Sequence, residues 1–76
     1  MIINILVVTK DARYVSSQAE SFAEAARKVI GWKNDAFYNV SLGDPVYFAY
    51  PDAALGWKRE AHTVRSLLND IKNGEV

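Results

Sequence analysis

The sequence contains no cysteine, so disulfides, thiolate zinc sites, iron–sulfur clusters and a cysteine nucleophile are excluded together. It also lacks a long hydrophobic run. The most apolar stretch, Ile2 to Val8, is too short for a bilayer and has neither the basic segment nor the small-residue cleavage site of a secretory leader. The expectation is a cytoplasmic chain with no membrane partner. A charge excess is missing as well, because nine basic and nine acidic side chains cancel. That argues against a sequence-independent nucleic-acid binder, which gains affinity by neutralising phosphates. Glycine is sparse and never clustered: none of the four opens a helix in a glycine-rich run, so no phosphate-cradling loop is expected. Histidine is reduced to His62 alone.

What is present is the composition of a folded protein, with half the residues apolar and about a quarter charged. Seventy-six residues leave room for one core, so residues 1–76 read as a single small globular domain. Without disulfides or a metal such a core predicts a margin of about 3–5 kcal/mol, which a partner or a homodimer would raise.

Ile2 to Thr9 is β-branched and nearly continuous in apolar character, the pattern of a strand inside a small sheet. Lys10 to Ala12 reads as a turn, and Arg13 to Ala19 then admits two readings. In the favoured one it is a second strand, and Ser21-Phe22-Ala23-Glu24 is a capping box opening a helix. In the other, the helix starts near Ser17, with Val15, Ala19, Phe22, Ala26 and Val29 on its buried side. Gly31 is expected to end this helix, with Trp32 folding back over it. Ala36 to Leu42 and Val46 to Tyr50 alternate apolar and polar residues, which predicts a hairpin turning at Gly43-Asp44-Pro45, with Pro45 suited to an edge. Tyr38, Val40, Leu42, Val46, Phe48 and Tyr50 would face the core, leaving Phe37, Tyr47 and Ala49 outside. Pro51 to Gly56 reads as a single helical turn or a tight loop. A last helix is expected from about Lys58 to Lys72, burying Trp57, Ala61, Val64, Leu67, Leu68 and Ile71, stopped by Asn73-Gly74 and followed by fraying Glu75-Val76. The fold class is therefore α+β: a small, mostly antiparallel sheet with two helices on one face, in the order β-β-α-β-β-α, or β-α-β-β-α if the second reading of residues 13–19 holds.

Chemistry-bearing residues are few. As a helical residue, His62 would have Glu60 on a different face and the cations Arg59 and Arg65 near it, which does not complete a catalytic site. No serine sits in a nucleophile elbow. The aspartates Asp35, Asp44 and Asp52 are scattered along loops as turn and cap residues, without metal-ligand spacing. Neither catalytic residues, nor a metal site, nor a cofactor is expected.

Surface character remains. On the expected last helix, Lys58, His62, Arg65, Asn69 and Lys72 would line one basic face. Trp32-Lys33 and Trp57-Lys58 set an aromatic beside a cation, a combination that anchors interfaces or stacks on bases. The partner-binding residues expected from these patterns are Trp32, Lys33, Phe37, Tyr47, Lys58, His62 and Arg65. The leading expectation is a small non-catalytic module that occupies another protein's surface, an acidic one where the basic helix face docks, as an inhibitor, adaptor or regulatory subunit. Small phage or mobile-element accessory proteins that block host defence systems share this profile. The alternative is a nucleic-acid-associated regulator using the basic helix face with tryptophan stacking.

Overall fold

A computed structural model describes residues 1–74 of the chain; the fraying expected of Glu75-Val76 lies outside the described residues. The elements are β1 (Ile3–Val8), β2 (Tyr14–Ala19), α1 (Phe22–Asn34), β3 (Pro45–Asp52), β4 (Gly56–Thr63) and α2 (Val64–Lys72). Strands pair antiparallel in the order β2-β1-β3-β4. The fold is the α+β arrangement β-β-α-β-β-α, and residues 13–19 take the strand reading.

Two of the local signals act as the sequence implies. The β1–β2 hairpin closes where Thr9 N–H donates to the Arg13 carbonyl (2.9 Å) and Ala12 N–H to the Thr9 carbonyl (3.0 Å). Ala12 supplies the left-handed turn conformation at φ 63°. At the start of α1, the Glu24 N–H donates to Ser21 Oγ (3.1 Å), while the Glu24 carboxylate reaches back to the Glu20 N–H (3.0 Å).

Three expectations are corrected. Gly31 does not end α1, which runs on to Asn34 before the Asp35 N–H closes onto the Trp32 carbonyl. Residues 36–42 are a loop, because Asn39 at φ 55° breaks the extended run and both neighbouring positions beside β3 are taken by β1 and β4. Their apolar residues still turn inward: Val40 is buried, with Tyr38 and Leu42 packed against the core. The second hairpin is instead β3–β4, turning between Asp52 and Gly56, with Gly56 in the left-handed region at φ 76° and the Asp52 carboxylate accepting from the Ala54 and Leu55 N–H groups. Pro45 accordingly begins an interior strand, where the first position tolerates its missing N–H.

The last helix begins at Val64 rather than Lys58. Its first three N–H groups, which have no partner within a helix, are all met from outside: Val64 by the Asp44 carbonyl (3.1 Å), Arg65 by the Leu42 carbonyl (2.8 Å) and Ser66 by Thr63 Oγ1 (3.1 Å). The buried Asp44 steadies that loop, accepting from the Ser41 N–H at 2.8 Å. It is a turn residue as expected, but in a different turn.

All fully buried strand residues lie on one face of the sheet. Ile3, Ile5 and Val7 of β1 with Val46 and Phe48 of β3 meet Ala25, Ala26 and Val29 of α1 and Val64 and Leu67 of α2 in one cluster. The shortest extent of the Cα trace is 17 Å, which accommodates the sheet and one helix layer. The opposite face of the sheet is bare.

Candidate functional site

Strand alternation decides which side chains occupy that bare face. The register aligns two rows across it: Gln18, Asn4, Ala49 and Arg59 in one, Ser16, Leu6, Tyr47 and Ala61 in the next. Trp57 follows beyond Arg59, opposite Pro51. Because Ala49 is short, a groove opens over it, walled by Asn4, Leu6, Tyr47, Trp57 and Arg59. Tyr47 is 44% and Trp57 54% exposed. Both rings leave much of their apolar surface in water, Tyr47 on an interior strand and Trp57 toward the end of the edge strand β4.

Two polar side chains, Asn4 and Arg59, flank Ala49 across the strands. Gln18 Nε2 donates to Asn4 Oδ1 at 3.1 Å, which occupies the amide oxygen and leaves the Asn4 amino group to donate. Arg59 makes no ion pair among the described residues, whereas Arg13, Lys28 and Lys58 are held by Asp11, Glu24 and Glu60. No outward position of the four strands carries an aspartate or glutamate.

On the helix side of β4 a second constellation forms. Tyr50 donates its hydroxyl to Glu60 at 2.8 Å, His62 Nε2 lies 3.4 Å from the other Glu60 oxygen, and Lys58 Nζ is 3.7 Å from Glu60. Lys58 also sits 5.9 Å above the Tyr50 ring centre. The tyrosine hydroxyl, with lesser help from His62 and Lys58 and against partial burial, holds the Glu60 carboxyl below its ordinary value. The Tyr50 hydroxyl, with the Glu60 carboxylate beside it, keeps Lys58 above its own. A strand brings Lys58, Glu60 and His62 to one face through their two-residue spacing, where a helix would have separated them. Neither the groove over Ala49 nor the one between Phe37 and Tyr14 is lined by this cluster. No group of three or more potential metal ligands occurs among the described residues.

The residues singled out from the sequence are not brought together. Tyr47 alone lies on the bare face. Lys58 and His62 belong to the helix side of β4 and Arg65 to the first turn of α2, so the basic helix face does not exist. Trp32 is half-buried and packs on Tyr38 with ring centres 6.1 Å apart, acting as a lid over the core with Lys33 beside it. Phe37 is 80% exposed and lies across a shallow groove from Arg13 and Tyr14 along the edge of β2. Trp57, expected in the buried stripe of a helix, is on the bare face instead. Asn4, Leu6 and Arg59 were the residues missed, and the alternation of Trp57, Arg59, Ala61 and Thr63 is the signal that would have placed Arg59. No helix among the described residues is long and apolar enough to cross a membrane. No protein-family model, curated protein or solved structure matches this chain.

Proposed function

We propose that this chain is a small, non-catalytic, cytoplasmic binding module that acts by occupying another protein's surface through the bare face of its sheet, as an inhibitor, adaptor or regulatory subunit does. One observation carries the reading: no element among the described residues covers the face, yet it presents Tyr47 near its centre and Trp57 toward its edge, around a groove over Ala49. Aromatic anchors at the centre of a patch are the side chains that dominate protein interfaces. The nucleic-acid reading drew on a basic helix face; with Lys58 and His62 on a strand, that face no longer supports it.

The test is photo-crosslinking in native-host lysate, with a benzophenone amino acid replacing Tyr47 and, as a control on the other layer, the exposed Asn69. It is run with nuclease and at about three times physiological ionic strength, where the Debye length falls from about 8 Å toward 5 Å. A discrete protein adduct formed from position 47 and not from 69, surviving nuclease and salt, is the expected result. Adducts to nucleic acid alone, or equal capture from both positions, would overturn the reading.

A further inference from the structure

The chemistry of the groove narrows the kind of partner, on the premise that the bare face is the binding surface. Its two polar walls, Arg59 and the Asn4 amino group, are both donors, and they flank the short Ala49 in a single cross-strand row. A site over Ala49 flanked by an amide donor and a cation without an ion pair is complementary to a carboxylate. Tyr47, Leu6 and Trp57 surround that point with apolar surface, so the carboxylate must arrive between apolar side chains.

We infer that the face takes a protein segment presenting one aspartate or glutamate flanked by apolar or aromatic residues, with the carboxylate received by Arg59 and Asn4 over Ala49. Charge complementarity excludes the two competing occupants. A second copy of this chain, docked face to face, would bring no carboxylate, because none projects from the outward positions of the four strands. Two Arg59 guanidinium groups would then be desolvated without a partner, which is costly. A nucleic-acid strand would bring a phosphate at every nucleotide to a face with one cation, since Lys58 of the same strand points to the other side and is held by Glu60.

The experiment is selection from a display library of random linear peptides on the folded protein, followed by fluorescence anisotropy of the enriched peptides and of labelled oligothymidylate. Enriched peptides are expected to share an acidic residue between apolar ones and to lose affinity by at least about tenfold with Arg59→Glu. Ala49→Leu, which fills the groove from an outward position, has the same effect. Tripling the salt weakens binding only about twofold, the response to a single charge contact. Circular dichroism of each variant establishes that the exposed substitutions leave the fold intact. Peptides that depend on Tyr47 and Trp57 but carry no acid and ignore Arg59→Glu sink the carboxylate assignment and leave the protein-binding reading standing. Peptides indifferent to Tyr47→Ala and Trp57→Ala, or oligothymidylate binding that collapses steeply with salt, sink both.

Discussion

At the scale of single residues, Glu60 shows how an ionised group is held at the margin of the core. Its carboxylate takes the Tyr50 hydroxyl on one oxygen and approaches His62 on the other, with Lys58 nearby. These contacts favour the charged form, so the folded-state value lies below the ordinary 4.5 that the group has in an unfolded chain. The contribution to stability is therefore fully present above that ordinary value and is lost as pH falls through the lower folded value. Glu60→Gln keeps an acceptor for Tyr50 but cannot titrate. Chemical denaturation of both proteins between about pH 7 and pH 3 should show wild type ahead at neutral pH and the difference closing only below the ordinary carboxylate range. A difference independent of pH would mean that the ionised state of Glu60 is not what the contacts favour.

At the scale of elements, α2 is defined by what precedes it. Thr63 caps the Ser66 N–H, and the loop carbonyls of Asp44 and Leu42 meet the two before it. Thr63→Ala removes one of these three acceptors and should cost about 1 kcal/mol in a urea titration, with Thr63→Ser restoring most of it. A neutral Thr63→Ala would show that the loop carbonyls alone anchor the helix start. The same region shows how far sequence reaches. The apolar run of β1 and the Ser21–Glu24 capping box depend on neighbours in the chain, and both were legible. So was the outward direction of Tyr47 and Ala49, since alternation fixes it whatever the strand pairs with; Phe37 is exposed too, but on a loop. Residues 57–71 satisfy two periods at once: Trp57, Ala61, Val64, Leu68 and Ile71 fit a helix, while Lys58, Glu60 and His62 against Trp57, Arg59 and Ala61 fit a strand. Only pairing with β3 decides between them, and that is a tertiary fact. The basic face was lost with the helix, and the groove became visible only when three strands were set in register.

At the scale of the whole molecule, the two faces of one sheet make opposite demands, and adjacent residues of β3 separate them. Phe48 is the largest fully buried side chain, in edge contact with Phe22 at 6.1 Å between ring centres, whereas Tyr47 points the other way into the groove. Truncating a buried phenylalanine costs about 3–5 kcal/mol through lost transfer energy and the cavity left behind. The entire margin of so small a domain is about the same. Phe48→Ala should thus abolish the cooperative unfolding transition at 25 °C, while Tyr47→Ala lowers the stability read from a urea titration by less than about 1 kcal/mol, within the range of surface substitutions plus one half-buried ring. The urea midpoint of the wild type should also be independent of protein concentration. A Tyr47→Ala cost that approaches that of Phe48→Ala, together with a midpoint that rises with concentration, would mean that the face is already covered in the free protein by a second copy. The Arg59 guanidinium argues for the opposite outcome: no outward strand position holds a carboxylate to meet it, so the face stays open until a partner supplies one.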